Sequence, residues 1–168
     1  MVQTHRIWAL AQSIVDKAGG EGLMVATAES CTGGMIGAAL TDAPGASAVF
    51  DRGFITYSNE AKTELLGVPA LLLARHGAVS RETAEAMAQG ALCRSRADIA
   101  VAVTGIAGPD GGNASKPVGL VWFGLALRVG RTRAERRVFV HGSRSFVRLK
   151  AVETALGMVA AALKLVQP

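Results

Sequence analysis

Leu23-Met24-Val25-Ala26-Thr27-Ala28-Glu29-Ser30-Cys31-Thr32-Gly33-Gly34-Met35-Ile36-Gly37-Ala38-Ala39-Leu40 changes character at its middle. Leu23 to Ala28 is an apolar run of strand length, whereas the residues from Met35 read as helix, in an element predicted from about Thr32 to Leu40. Ser30 therefore falls where a buried strand turns sharply into a helix, just ahead of a glycine pair that lets another group approach the backbone closely. A helix N-terminus presents unpaired N–H donors and partial positive charge, so a carbonyl oxygen that becomes anionic there is stabilised. A hydroxyl at such a corner is placed to be a nucleophile. The same octet, Thr27–Gly34, also reads as a plain helix start in which Ser30 or Thr32 is the N-cap.

On either side of this stretch the chain alternates strands and helices. Thr4 to Ala18 is predicted as an amphipathic helix stopped by Gly19-Gly20. Val49–Tyr57 is rich in strand-forming residues. Ser58 caps a helix that runs to Leu66 and ends at Gly67, a short piece follows over 69–75, and Ser80 caps a helix to about Ser95. Ile99-Ala100-Val101-Ala102-Val103 is continuous enough to be a strand covered on both faces. Val118–Leu127 and Thr132–Val140 read as an antiparallel hairpin joined near Gly130, and Ser143 opens a last helix with Leu149, Val152, Leu156, Val159 and Leu163 along one side. The predicted fold is an α/β sandwich: a mixed, mostly parallel sheet of about five strands with helices on both faces, forming one domain over residues 1–168.

Composition narrows the function. The chain has 168 residues, half of them apolar, and a net charge of +5. No apolar run reaches the roughly 20 residues of a membrane span, and no signal peptide is read at the N-terminus, so a cytoplasmic protein is expected. Few aromatics interleave with its basic residues, which argues against a nucleic-acid platform, and Arg128, Arg131, Arg133, Arg136 and Arg137 read as the solvated face of the hairpin. A small anionic ligand suits the mild positive charge. Cys31 and Cys93 have no paired spacing, and His5, His76 and His141 are far apart, so no metal site is expected.

Three further segments carry candidate chemistry. In Tyr57-Ser58-Asn59-Glu60-Ala61-Lys62, the lysine falls near the first turn of a helix, where the macrodipole opposes an ammonium. With partial burial this lowers a lysine's pKa and yields a neutral amine, as a general base requires. Tyr57 is placed to orient or relay a proton. The rival reading has Lys62 reaching out to water and Tyr57 simply ending a strand. Thr104-Gly105-Ile106-Ala107-Gly108-Pro109-Asp110-Gly111-Gly112 follows the central strand, where ligands collect in open α/β sheets. It leads into another strand and so fits neither a Rossmann fingerprint nor a P-loop; the rival reading is a surface connector. Ser143-Arg144-Ser145-Phe146-Val147-Arg148 is either a phosphate-holding helix start or a solvated first turn, with Arg144 and Arg148 on one face.

These segments occur in the same order in a known family. Through Thr27–Gly34, Arg52–Lys62, His76–Ser80, Gly105–Gly112 and Lys116–Gly119 the chain resembles the CinA C-terminal domain family, with likeness over about residues 3–166. Its enzymatic members are nicotinamide mononucleotide amidohydrolases. The resemblance implies a three-layer α/β/α sandwich and serine amidohydrolase chemistry with neither cofactor nor metal, acting on a small mononucleotide, in a protein that self-associates. It implies Ser30 as nucleophile, Lys62 as base and Tyr57 as assisting tyrosine. N–H groups near Thr32, Gly33 and Gly34 would hold the oxyanion beside Cys31, and the phosphate would meet Thr104 with Gly105, Ile106, Ala107 and Gly108, or Arg144. Members commonly carry an acidic residue where this chain has Ser143. Some have a further N-terminal pyrophosphatase domain, which is not expected here. Cys31 remains the rival nucleophile and His76 the rival base. A module of the same fold that binds nucleotides or assembles without turnover, or an amidase for another small amide, would share these motifs.

Overall fold

A computed structural model of the chain describes residues 2–140 and 142–164. His141, Val166 and the remaining C-terminal residues lie outside that range.

Five strands form one sheet in the order β2-β1-β3-β4-β5: β1 (Val25–Glu29), β2 (Phe50–Ile55), β3 (Ile99–Gly105), β4 (Leu120–Leu127) and β5 (Arg133–Val138). β1 pairs in parallel with β2 and with β3, whereas β3/β4 and β4/β5 are antiparallel. Only β4 therefore runs against the others, so the mixed, mostly parallel sheet expected from sequence is present. Among the described residues six α-helices cover it: α1 (Val2–Glu21), α2 (Met35–Thr41), α3 (Asn59–Leu66), α4 (Ala70–His76), α5 (Arg81–Cys93) and α6 (Arg144–Ala162).

Side-chain alternation along the central strands divides the interior into two cores. Ile99, Val101 and Val103 of β3 face a core shared with α1, α2 and α6, while Ala100 and Ala102 face a second core with Leu66, Met87, Ala88 and Ala91 of α3 and α5. Burial on both faces explains why β1 and β3 read as continuous apolar runs. The edge strand β5 instead exposes Arg133, Arg136 and Arg137, charges that discourage another strand from adding to its open backbone.

The second core is thin because its residues are small. A Cβ on Gly124 of β4 would collide with the Ala84 carbonyl of α5, and a Cβ on Gly90 of α5 would collide with the Leu66 carbonyl of α3. These contacts set α5 close to the sheet and α3 close to α5.

Several boundaries differ from the sequence reading. α1 passes through Gly19-Gly20 and stops at Gly22, whose φ of 68° permits the left-handed turn. There Leu23 N–H donates to Ala18 O (2.9 Å) and Gly22 N–H to Gly19 O (3.3 Å), the paired bonds of a Schellman ending. The burial of Ala18 at the base of that turn outweighs the helix-breaking tendency of two glycines. The helix after β1 begins at Met35, not Thr32, and residues 70–76 form α4. Arg128 is not merely solvated: it donates to the carbonyls of Leu92, Ser95 and Ala97, tying the hairpin to the end of α5.

Gly124→Ala is expected to destabilise the fold by about 1–3 kcal/mol, because the added methyl forces α5 off the sheet. Urea unfolding followed by circular dichroism measures the loss; an unchanged midpoint would contradict the close contact.

Candidate active site

The site lies at the carboxyl end of β1, where the parallel half of the sheet meets the starts of α2 and α3. Ser30 N–H donates to Val103 O at 3.0 Å, so the chain stays in the β1/β3 ladder through Ser30 and only then turns away. By alternation, Ser30 follows Ala26 and Ala28 and faces the α3 side of the sheet, whereas Glu29 faces the α2 side.

Glu29 governs the turn. Its carboxylate is only 1% exposed and accepts backbone N–H bonds from Gly34 (3.0 Å), Ile36 (3.0 Å) and Gly37 (2.9 Å). A negative group here satisfies the open donors of α2 and complements its dipole. Ser30 and Thr32 are thus not the caps of this helix; its flanking residue is Gly34, and Glu29 supplies the acceptor.

From α6, in the same helix layer as α2, Arg148 donates through Nε to Cys31 O (3.1 Å) and through Nη2 to Thr32 O (3.0 Å). The Gly33 N–H donates to Ser30 O (3.1 Å). The N–H groups of Gly33 and Gly34, two of the expected oxyanion donors, are therefore occupied within the turn. Those of Cys31 and Thr32 donate to no other residue among those described.

Lys62 is placed by α3. Ser58 caps that helix by accepting the Ala61 N–H (3.0 Å), as its sequence suggested, and this puts Lys62 at the inner side of the first turn. The Lys62 side chain is buried, with 1% of the residue exposed, and its Nζ reaches Ser30 Oγ at 3.2 Å. The same nitrogen lies 2.8 Å from Thr56 O, 3.3 Å from Tyr57 O and 3.4 Å from Ser58 O. No carboxylate forms an ion pair with it among the described residues. Burial without a counterion penalises the ammonium and lowers the Lys62 pKa, an effect that the neighbouring Cys31 and Glu60 only partly oppose. The reading in which Lys62 extends to water does not describe this side chain.

The other candidate residues surround this pair in distinct ways. Burial pushes the Cys31 thiol up to about 11, so it is not the activated thiolate that a rival nucleophile requires. The Tyr57 ring is 64% exposed, and its hydroxyl accepts from Arg144 Nη2 at 3.3 Å; only the Tyr57 carbonyl touches Lys62. Arg144 also donates from Nη1 to Gly108 O at 2.9 Å, joining α6, the Tyr57 ring and the glycine loop at one point. Thr104 Oγ1 donates to Ala78 O at 2.7 Å. Ile106 exchanges bonds with Leu120 and Gly119 (2.8 Å each), and Ala107 is buried, so the start of the loop after β3 is fastened, while residues 109–115 are exposed as a surface connector would be. His76 Nδ1 lies 3.5 Å from Glu82 Oε2, with no hydrogen bond to Ser30. Sequence reasoning passed over Glu29 and gave Arg148 no contact. An acid just before a helix start was the available signal for the first; nothing local pointed to the second.

A serine hydroxyl and a lysine amine thus meet at the carboxyl edge of an α/β sheet. The chain belongs to the CinA C-terminal domain family, whose model matches residues 8–163. Among its relatives, a protein of Escherichia coli (strain K12) named nicotinamide-nucleotide amidohydrolase PncC is 53% identical over 135 residues, covering 80% of this chain and 81% of that protein. A CinA-like protein of Akkermansia muciniphila is 49% identical over 156 residues, which span 93% of this chain but only 38% of the relative. The chain likewise spans 34% of a putative competence-damage inducible protein of Symbiobacterium thermophilum, with 56% identity. The solved structure of competence/damage inducible protein CihA from Agrobacterium tumefaciens superposes with a TM-score of 0.92 at 53% identity, covering 95% of this chain and 96% of that one. Among the described residues no helix is long and apolar enough to cross a membrane, and no cluster of three or more His, Cys, Asp or Glu side chains is arranged to hold a metal.

Iodoacetamide at pH 8 should alkylate exposed Cys93 in the native protein and spare buried Cys31 until the chain unfolds. Peptide mass spectrometry reads the two sites, and equal native labelling would contradict the burial of Cys31.

Proposed function

We propose that the protein is a serine–lysine amidohydrolase that converts nicotinamide mononucleotide and water to nicotinate mononucleotide and ammonia. One observation carries this reading: the buried, counterion-free Lys62 Nζ lies 3.2 Å from Ser30 Oγ. The substrate class follows from the name borne by relatives such as the Escherichia coli protein, which the chain matches over most of its length.

Neutral Lys62 takes the proton from Ser30 Oγ as that oxygen bonds to the carboxamide carbon. The carbonyl π electrons move to oxygen, and the open N–H groups of Cys31 and Thr32 receive the oxyanion. The lysinium returns its proton to the amide nitrogen, the C–N bond breaks and ammonia leaves. Lys62 then removes a proton from water, hydroxide adds to the acyl carbon, and the Ser30 oxygen departs reprotonated by Lys62. The route needs no relay between base and nucleophile, since the two touch; Tyr57 and Arg144 instead form part of the rim that a substrate passes. Self-association belongs to the same reading and is checked by sedimentation velocity.

Ammonia release from nicotinamide mononucleotide, measured beside free nicotinamide and the riboside, tests the reading. Turnover confined to the mononucleotide supports it; no release, or equal release from all three, rejects the substrate assignment. Ser30→Ala and Lys62→Met should each lower kcat by more than ~1,000-fold, and the double variant should be little worse than either, because both remove one concerted step. A Lys62→Met enzyme of undiminished rate would remove the lysine from the scheme.

The pH profile follows from the sign of the Lys62 shift. The working form is the neutral amine, and burial moves its titration below the ordinary lysine value of 10.5. The ratio kcat/KM should therefore rise with pH through the lowered pKa and level off below 10.5. A rate that is still climbing at that pH would show an ordinary solvated lysine.

A further inference from the structure

We propose that Arg148 is a positioning residue for oxyanion stabilisation: by holding the Cys31 carbonyl, it aims and strengthens the Thr32 N–H. This rests on the amidohydrolase reading above and adds to it a residue that never meets the substrate.

The argument begins with the peptide unit. The Cys31 carbonyl and the Thr32 N–H belong to the same planar group, and in a trans peptide they point in opposite directions. Fixing the carbonyl therefore fixes the N–H. Arg148 Nε holds that carbonyl at 3.1 Å while Nη2 holds the next one, Thr32 O, at 3.0 Å, so the planar fork locks two successive peptides together. Arg148 sits on α6, which packs in the core on the far side of the sheet from α3 and Lys62. The N–H at the other end of the Cys31–Thr32 peptide accordingly points out of the α6 layer, toward the side on which Ser30 meets Lys62.

The charge has a second effect. A guanidinium at the oxygen end of a peptide draws electron density toward that oxygen and makes the N–H a better donor, as in any polarised chain of hydrogen bonds. Arg148 forms no ion pair with a carboxylate among the described residues, so its charge is not offset by a direct partner. Glu29 acts on the same turn in the opposite sense, occupying the N–H groups of Gly34, Ile36 and Gly37. Between them, the two side chains leave the Cys31 and Thr32 donors open and bias the second toward an anion.

The test uses Arg148→Ala and Arg148→Lys with two substrates, nicotinamide mononucleotide and its thiocarboxamide analogue. Sulfur accepts hydrogen bonds weakly, so a functioning oxyanion site favours the oxygen substrate, and weakening the site lowers the oxygen-to-sulfur rate ratio. Each ratio is measured within one sample, so a loss of folded enzyme cancels. Arg148→Ala should lower kcat on the carboxamide by about 10–100-fold, less than or comparable to the loss of one donor, with KM changed by no more than about threefold and the ratio lowered about tenfold. Arg148→Lys, which keeps the charge but lacks the fork, should fall between. An unmoved ratio overturns the inference even if both rates drop, since that pattern marks damage to the fold alone. A folded wild-type enzyme that releases no ammonia from nicotinamide mononucleotide overturns the amidohydrolase reading, and this inference with it; wild-type turnover with an unmoved ratio rejects Arg148 by itself.

Discussion

A lysine amine sealed away from water, with no acid paired to it among the described residues, is the constraint around which this fold is arranged. Such a group is costly to keep charged, and the protein offers it only neutral dipoles: the carbonyls of Thr56, Tyr57 and Ser58, and the Ser30 hydroxyl. The arrangement depends on topology. β2 must lie parallel beside β1 so that both end at the same edge, and the short link after β2 must deliver α3 back over that edge. Ser58 as cap then sets the phase of the helix, which decides that position 62 points inward.

The turn after β1 shows how two charged side chains can partition a backbone's donors and acceptors. Buried N–H and C=O groups need partners, and here the partners are distributed unevenly. Glu29 takes N–H groups from Gly34 onward, Arg148 takes the carbonyls of Cys31 and Thr32, and Ser30 O takes the Gly33 N–H. The groups left over are donors, beside the one hydroxyl that meets an amine. A carboxylate and a guanidinium, both on the α2 and α6 side of the sheet, thus shape a neutral loop.

Much of this was legible in the sequence, and the exceptions share a cause. β3 declared itself through an unbroken apolar run because it is covered on both faces, and α3 and α5 through serine caps whose side chains bond three residues ahead. Ser30 and Lys62 stood out because their local settings, a strand-to-helix corner and a first helical turn, are unusual places for a hydroxyl before glycines and for a cation. Gly19-Gly20 misled because the stop is decided by how the following residues close on Ala18, a tertiary matter. Arg148 reaches carbonyls 116 and 117 positions away in the chain, and Arg144 meets Tyr57 across 87. Contacts of that span leave no periodicity and no motif, so only the assembled sheet reveals them.

The absent side chains at Gly124 and Gly90 have a consequence that reaches beyond packing. β4 bears on α5 at the first, and α5 bears on α3 at the second, one helical turn from Lys62. The layers are stacked like shims, and their combined thickness sets the gap across which the amine must reach. A methyl group inserted in either joint would widen that gap by a fraction of an ångström, in a place where a few tenths separate a hydrogen bond from a mere neighbour. Tolerances at two glycines are thereby tolerances on the hydrogen bond between Lys62 and Ser30.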